Sequence, residues 1–207
     1  MKFTRLEENL DQLKSQKNLL VLIRHGQSTW NAKSQFTGWA NIGLNEIGKK
    51  EAVDAGEKWK ELRFDMAFTS VLARANRTLD IFLESAGHPE IEIIREWALN
   101  ERDYGELTGL NKNQVKEEVG EEKFKLWRRS YDVPPPGGES LKMTEERSWP
   151  YFRDHILPHL QKGKKIIISA HGNSLRAIVK NLENISVDKI SSLEVPHVEP
   201  WFYTLGE

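Results

Sequence analysis

Two short apolar runs in this chain are each followed directly by a His-Gly pair. Residues 19–23 lead into Arg24 and His25, and residues 166–170 lead into His171. Runs of this length that are rich in Val and Ile are typical of strands buried on both faces of a parallel sheet. Because such sheets bind ligands at the carboxyl ends of their strands, we expect the two histidines to meet in one cleft.

The combination of two histidines with an arginine indicates chemistry on a phosphoryl group. An imidazole nitrogen can attack phosphorus, and a guanidinium can bind two non-bridging oxygens at once. His25 is the candidate nucleophile, because a neutral imidazole with an ordinary pKa of about 6.5 needs no separate base at neutral pH. From these residues alone, a structural histidine at the end of a strand is an equally good interpretation of His25.

Composition narrows the class of protein. The 207 residues suit a single α/β domain with a full core, and a formal net charge of -1 argues against a general binder of nucleic acid or membrane surfaces. The chain contains no cysteine, which excludes disulfides and thiolate metal sites. No apolar stretch approaches the roughly 18 residues of a membrane span, and the N-terminus lacks the apolar core of a secretory signal. We therefore expect a cytoplasmic protein with no nucleic-acid and no membrane partner.

Strand and helix patterns alternate along the chain. Helical spacing of apolar residues occurs in residues 3–14, 44–62, 70–83, 112–131, 144–160 and 174–182. Further strand patterns occur in residues 65–69, 91–94 and 200–205. This order predicts an α/β fold, a three-layer sandwich with a mainly parallel sheet flanked by helices. Residues 1–17 are expected to add an N-terminal helical segment to one domain spanning residues 1–207, either as a surface helix or as a contact between subunits.

Seven short blocks along the chain form an ordered set. They are Leu-Ile-Arg-His-Gly at 22–26, Phe-Thr-Gly-Trp at 36–39, Thr-Ser-Val-Leu-Ala-Arg-Ala at 69–75, Leu-Asn-Glu-Arg-Asp-Tyr-Gly at 99–105, Gly-Leu-Asn-Lys at 109–112, Trp-Arg-Arg at 127–129 and Ala-His-Gly-Asn-Ser-Leu-Arg-Ala at 170–177. Together they resemble the 2,3-bisphosphoglycerate-dependent phosphoglycerate mutases of the histidine phosphatase superfamily. Arg-His-Gly alone is a weak signal, whereas seven blocks in order are specific.

The resemblance implies the phosphoglycerate mutase-like fold and a set of catalytic residues. The resemblance implies that His25 is the nucleophile. It implies that His171 hydrogen-bonds the oxygens of the transferring phosphoryl group, on which negative charge is spread in the transition state. Glu101 is implied as the acid–base group, although a Glu followed by Arg is otherwise typical of an exposed turn. We expect its pKa to be raised by burial or by nearby phosphate charge. Arg24 and Arg74 are implied as the clamp on the transferring phosphoryl group.

A second set of residues is implied in substrate binding. The set is Ser28, Asn31, Thr37, Gly38, Arg102, Tyr104, Lys112, Arg128, Arg129, Gly172 and Asn173. Its asparagines would donate neutral hydrogen bonds, and its cations would bind the carboxylate and the second phosphate of the substrate. Because the whole chain is nearly neutral, positive charge must be concentrated in the cleft. Without the resemblance, Arg128 and Arg129 are best interpreted as a solvated helix face.

The implied activity is an isomerase of glycolysis and gluconeogenesis. It interconverts 3-phosphoglycerate and 2-phosphoglycerate through a phosphohistidine that 2,3-bisphosphoglycerate primes. The expected partners are small-molecule phosphoglycerates, and self-association is left open. No metal is expected, because the pair His155 and His159, although four residues apart, is interrupted by Pro158 and has no glutamate after His155.

Two other classes of function compete with this interpretation. One is a phosphatase, in which water takes the phosphoryl group from His25. The basic residues Lys112, Arg128 and Arg129 disfavour it, because they suit an acidic phosphorylated substrate that is held in the site between two transfers. The other is a non-catalytic binding module, which the joint presence of the five implied catalytic residues disfavours. The loop 134–140 also lacks the insertion of the longest family members, and no long tail follows residue 207. We therefore expect a minor phosphatase side reaction.

Overall fold

A six-stranded sheet forms the centre of the molecule in a computed structural model that describes residues 2–206. Its strands are β1 (Phe3–Leu6), β2 (Leu19–Arg24), β3 (Met66–Thr69), β4 (Glu92–Arg95), β5 (Ile166–Ala170) and β6 (Trp201–Leu205). They lie in the order β1-β6-β2-β5-β3-β4. Strands β2, β5, β3 and β4 pair in parallel, and β6 runs antiparallel to β2 and to β1. The sheet is therefore mainly parallel, as predicted. The predicted limits of the domain, residues 1 and 207, lie outside the described residues.

Helices cover both faces of this sheet. They are α1 (Leu10–Ser15), α2 (Thr29–Ala32), α3 (Glu46–Lys58), α4 (Ala73–Ser85), α5 (Lys112–Val119), α6 (Glu121–Arg129), α7 (Leu141–Tyr151), α8 (Leu157–Gln161), α9 (Gly172–Leu182) and α10 (Val187–Ile190). Within residues 2–206, no helix has both the length and the apolar character that crossing a membrane requires.

Strand β2 illustrates the predicted three-layer arrangement. Leu20 and Leu22 pack on one face of the sheet with apolar residues of α8 and α9. Val21 and Ile23 pack on the opposite face with apolar residues of α3 and α4. Because both faces of the strand are buried, its residues are apolar up to Ile23, and the first polar residue is Arg24 at the end of the strand. The three-layer α/β sandwich is thus confirmed.

The N-terminal segment differs from the prediction. The sequence predicts one helix over residues 3–14, but Phe3–Leu6 form strand β1 and only Leu10–Ser15 are helical. Strand β1 pairs with β6, so its backbone forms hydrogen bonds with the N–H and C=O groups of β6 that would otherwise lie at the edge of the sheet. Asn9 caps the helix by accepting a hydrogen bond from the backbone N–H of Gln12. Local spacing misassigned the strand because its partner lies almost 200 residues away in the sequence.

Two other predicted helices are interrupted. The helix predicted over residues 112–131 is split into α5 and α6 at Gly120, whose φ of 83° lies in the left-handed region that favours glycine. The helix predicted over residues 144–160 begins at Leu141 and contains a π-helical segment, Phe152–Ile156, between α7 and α8. Pro150 and Pro158 supply no backbone N–H to this region, which disturbs the regular hydrogen-bond pattern.

Two glycines in contact set the distance between α3 and the loop after β2. A Cβ on Gly48 would lie 2.2 Å from the carbonyl oxygen of Gln27, and one on Gly26 would lie 2.4 Å from the carbonyl oxygen of Gly48. Asn45 caps α3 by accepting a hydrogen bond from the Gly48 N–H at 2.8 Å. The start of α3 therefore presses directly against the backbone next to His25.

We predict that Gly48→Ala destabilises the protein by about 1–3 kcal/mol, because the added methyl group meets backbone atoms that cannot move aside locally. Urea unfolding of the two proteins measures the difference. Gly43→Ala is the matched control, since a Cβ at Gly43 would have no atom within 4 Å. Equal unfolding midpoints for Gly48→Ala and the unmodified protein would show that the contact is adjustable.

Candidate active site

The carboxyl ends of β2 and β5 bring two histidines together. Arg24 is paired with Ala170 in the parallel register, and the His25 N–H donates to the Ala170 carbonyl at 3.0 Å. The chain then turns, so that the ring centroids of His25 and His171 lie 5.0 Å apart. Both side chains are buried, with 2% and 0% of their surface exposed.

A cavity of about 90 Å³ opens over His25 and contains most of the residues proposed from the sequence. The proposed residues that line it are Arg24, His25, Asn31, Thr37, Gly38, Arg74, Glu101, Tyr104, Lys112, Arg128, Arg129, Gly172 and Asn173. Three proposed residues lie behind its wall. Ser28 caps α2, His171 packs against His25, and the buried Arg102 guanidinium lies 4.7 Å over the Tyr104 ring.

The contacts of His25 assign its proton to one ring nitrogen, Nδ1, and its lone pair to the other, Nε2. Its Nδ1 lies 2.7 Å from the Gly26 carbonyl oxygen, which can only accept, so Nδ1 carries the proton. Arg74 Nε donates to His25 Nε2 at 3.3 Å. Burial, then the charges of Arg74 and Arg24, lower the pKa of His25 well below its ordinary value of 6.5. At neutral pH the ring is therefore uncharged and Nε2 keeps its lone pair.

Two guanidiniums flank this nitrogen, that of the half-buried Arg24 and that of the fully buried Arg74. Arg74 donates to the carbonyl oxygens of Gly38 at 2.8 Å and Ala40 at 3.0 Å, and Arg24 donates to that of Val195 at 2.8 Å. Burial is the main cause that lowers the pKa of Arg74 to about 10. Since these acceptors are all neutral, both charges are buried without a hydrogen-bonded counter-charge. Such an arrangement is costly in an empty site and favours an anionic ligand.

His171 is oriented by a serine on the neighbouring strand end. Its Nε2 lies 2.7 Å from the Ser70 hydroxyl oxygen, which also accepts a hydrogen bond from the Leu72 N–H at 3.2 Å. Burial and then the charge of Arg74 lower the pKa of His171 well below 6.5, so this ring is also neutral. His171 stands at the N-terminus of α9, where the helix dipole favours negative charge.

Glu101 faces the same cavity as an ionised carboxylate. Its Oε1 accepts hydrogen bonds from the backbone N–H groups of Arg102 at 2.8 Å and Asn173 at 3.1 Å. Burial acts to raise the pKa of Glu101, but the charges of Arg74 and Arg24 and these hydrogen bonds together outweigh it and lower the pKa. Burial therefore does not raise the pKa of Glu101, as one half of the expectation had it, because local sequence does not show how many cations surround the carboxylate; the other half concerns the charge of a bound phosphate.

The outer part of the cavity is cationic. Burial lowers the pKa of Lys112, and burial followed by the neighbouring Arg129 lowers that of Arg128. Arg129 is ion-paired with Glu194, whose carboxylate lies at the rim. Lys112 lies on α5, whereas Arg128 and Arg129 lie on α6 and are not simply the solvated helix face that the isolated sequence suggests for those two residues.

Several residues that touch the site were missed by the sequence analysis. Arg176 lines the cavity, donates to Asn173 Oδ1 at 2.7 Å, and has a pKa lowered to about 10, mainly by burial. Arg147 binds the Glu139 carboxylate through two nitrogens and donates to the Glu101 carbonyl oxygen at 2.9 Å. Ser70 and Arg176 lie inside two of the seven blocks, a signal that could have found them. Arg147 lies in a helix pattern with no such mark.

Comparisons with known proteins identify the family of this chain. The profile of the histidine phosphatase superfamily (branch 1) matches residues 20–199. A 2,3-bisphosphoglycerate-dependent phosphoglycerate mutase of Parvibaculum lavamentivorans is 54% identical over 192 residues, which cover 92% of this chain and 91% of the relative. The protein of the same name from Nitrobacter hamburgensis is 54% identical over 190 residues, which cover 91% of this chain and 92% of the relative.

A solved structure shows the same fold at lower identity. It is a mycobacterial glucosyl-3-phosphoglycerate phosphatase in complex with VO3, with a TM-score of 0.79 and 24% identity over 89% of this chain and 91% of that one. The profile match spans most of the chain, and the similarity to the two mutases extends over nine-tenths of it. The chain therefore belongs to the histidine phosphatase superfamily and, within it, to the family of 2,3-bisphosphoglycerate-dependent phosphoglycerate mutases.

Proposed function

We propose that this chain interconverts 3-phosphoglycerate and 2-phosphoglycerate through a phosphohistidine at His25, as a step of glycolysis and gluconeogenesis. One observation carries the proposal: Nδ1–H of His25 donates to the Gly26 carbonyl, so the lone pair is on Nε2, where it accepts a long hydrogen bond of 3.3 Å from Arg74 Nε. The names of the relatives at 54% identity support the choice of substrate.

His25 acts as the nucleophile in the first transfer. Its Nε2 forms a bond to phosphorus while the bond from phosphorus to the sugar-acid oxygen breaks, and that oxygen leaves with the electron pair. The ring becomes cationic when Nε2 is phosphorylated. The hydrogen bond from Nδ1–H to the Gly26 carbonyl stabilises that charge and keeps the ring in one orientation.

Arg24 and Arg74 hold the oxygens of the transferring group. In a loose transition state negative charge is spread over these oxygens, and guanidiniums already fixed in place stabilise it without reorganisation. His171, supported by Ser70, adds a polar group on the other side of His25. The neutral acceptors of the two arginines leave their positive charge available to the phosphoryl group.

Glu101 moves the proton. As an ionised carboxylate it accepts a proton from an attacking hydroxyl, and in the protonated form it returns a proton to a leaving oxygen. Phosphoryl charge beside Arg24 and Arg74 offsets the cations that lower the pKa of Glu101, so the pKa rises when substrate is bound. Since Oε1 is held by two backbone N–H groups, we assign the proton transfer to Oε2.

The residues of the cavity fit 2,3-bisphosphoglycerate, which carries two phosphates and a carboxylate. The Nε atom of Arg24 and the Oγ1 atom of Thr37, both in residues that line the cavity, are buried without a hydrogen-bond partner. Lys112, Arg128 and Arg129 face the outer part of the cavity, where they hold the groups that do not react. When bound, 2,3-bisphosphoglycerate supplies the phosphoryl group that first loads His25.

The proposal also covers the setting of the reaction. It assigns the activity to one domain spanning residues 1–207, in the cytoplasm, without a metal ion and without nucleic-acid or membrane partners. Within residues 2–206, no group of three or more His, Asp or Glu side chains is arranged to hold a metal ion.

We predict that the protein converts 3-phosphoglycerate to 2-phosphoglycerate with a strong requirement for 2,3-bisphosphoglycerate, and that His25→Ala abolishes the conversion. The assay follows 2-phosphoglycerate and inorganic phosphate together, with and without the bisphosphate. Incubation with radiolabelled bisphosphate should give an acid-labile label on the unmodified protein and none on His25→Ala. Phosphate release as fast as isomer formation would replace the mutase with a phosphatase, and acid-labile label on His25→Ala would refute the nucleophile.

We predict that Glu101→Gln slows isomerisation by about 10²–10⁴-fold, because glutamine keeps the shape of the side chain but cannot carry the proton. The turnover number and the thermal unfolding midpoint are measured side by side. Glu57→Gln, at an exposed position on α3, is the control and should leave both unchanged. A near-normal turnover number in Glu101→Gln would mean that another group moves the proton.

We predict that the ring of His25 titrates below pH 6.5, because burial and the charges of Arg74 and Arg24 lower its pKa. His25 is then neutral at and above that pH, and its protonation blocks attack only in more acidic solution. A proton NMR titration of the ring measures the midpoint. Arg24→Gln should move the midpoint upward, whereas Arg153→Gln, at an exposed arginine paired with Asp154, should not. A midpoint at or above 6.5 in the unmodified protein would contradict the prediction.

A further inference from the structure

The connection between α10 and β6 passes directly behind the nucleophile. We call residues 193–198 the connecting segment. Its Leu193 carbonyl accepts a hydrogen bond from Arg176 Nε at 2.9 Å, and its Val195 carbonyl accepts one from Arg24 Nη1 at 2.8 Å. The segment therefore contacts two arginines of the cavity before it enters the sheet.

His197 of the connecting segment contacts His25 itself. Its Nδ1 lies 2.6 Å from the carbonyl oxygen of His25, and the two ring centroids are 5.5 Å apart. Because a carbonyl can only accept, Nδ1 of His197 carries the proton of this hydrogen bond. The other side of His197 faces a groove beside Trp59 and Glu51, outside the substrate cavity, so His197 has no route to the substrate.

This hydrogen bond fixes the peptide group between His25 and Gly26. The N–H of that group donates to the Thr78 hydroxyl oxygen at 3.0 Å, and its carbonyl accepts from His197. The orientation of this peptide group determines where the next carbonyl, that of Gly26, lies. The Gly26 carbonyl in turn accepts the hydrogen bond from Nδ1–H of His25. A rotation of the first peptide group would thus free Nδ1 and allow the unreactive tautomer, with the proton on Nε2.

The backbone beside His197 is strained in a way that supports this contact. Val198 has a φ of 48°, in the left-handed region that a β-branched residue strongly disfavours. Its N–H donates to the Arg24 carbonyl at 3.0 Å, and its side chain is buried in the core. The turn at Val198 thereby lets the connecting segment bind the carbonyl oxygens of two successive residues, Arg24 and His25. Strain of this kind persists only where the surroundings impose it, and it concentrates at functional sites.

We propose that His197 is a positioning residue for the nucleophile: its Nδ1–H holds the His25–Gly26 peptide group in the orientation that selects the reactive tautomer of His25. This inference rests on the proposed phosphoryl transfer at His25. It assigns His197 no contact with substrate, so its removal should change turnover and not substrate binding.

The test compares two replacements of similar shape. His197→Asn keeps a side-chain N–H that reaches the His25 carbonyl, whereas His197→Leu has no donor. We expect His197→Leu to lower kcat by about 10–100-fold through misplacement of the nucleophile, and to leave the KM for 3-phosphoglycerate within about a factor of two. His197→Asn should recover most of the kcat. His159→Ala, at a half-buried histidine outside the cavity, is the control for loss of an imidazole and should behave as the unmodified protein.

Nitrogen-15 NMR of the His25 ring gives a second readout that does not depend on turnover. The unmodified protein and His197→Asn should show the proton on Nδ1, and His197→Leu should show a mixture of tautomers. Equal kcat for the Leu and Asn variants, or a single unchanged tautomer in His197→Leu, would overturn the inference. Absence of mutase activity in the unmodified protein would instead refute the proposed function, while the NMR comparison would still decide the role of His197.

Discussion

The parallel pairing of β2 with β5 is the interaction on which the site depends. The two strands are buried on both faces, and the hydrogen bond from the His25 N–H to the Ala170 carbonyl extends their pairing to the residues that begin the cavity. Apolar packing therefore fixes the distance between two polar side chains. A shift of either strand by one residue would exchange its two faces and separate His25 from His171, so the core and the catalytic geometry specify the same register.

Two arginines that hydrogen-bond only to neutral acceptors set the protonation of the site. The guanidiniums of Arg24 and Arg74 lower the pKa of His25, of His171 and of Glu101. Burial also lowers the pKa of the two histidines, whereas it acts to raise that of the carboxylate. The consequence is a neutral nucleophile beside an ionised base. In the proposed reaction the neutral imidazole is the form that attacks phosphorus, and the ionised carboxylate is the form that accepts a proton from an attacking hydroxyl; both forms result from the same two side chains.

The sequence was most informative where a local pattern and a long-range contact agree. Strands β2 and β5 have apolar runs that only a buried strand explains, and the blocks around Arg74 and Glu101 identified residues that line the cavity. The prediction was wrong at Phe3–Leu6, because pairing with a distant strand overrode helical spacing. Arg147 and His197 were missed for the same reason: each acts through a backbone carbonyl of a distant residue, and such contacts leave no pattern in the sequence.

The hydrogen bonds from Arg74 to the Gly38 and Ala40 carbonyls have a consequence for the stability of the empty protein. They orient the guanidinium before any ligand arrives, so the cost of desolvating its charge is borne during folding and not during binding. An anion that enters the cavity relieves this cost only in the folded state. Folding and ligand binding are therefore thermodynamically linked here, and the concentration of phosphorylated metabolite around the protein helps to set how much of it is folded.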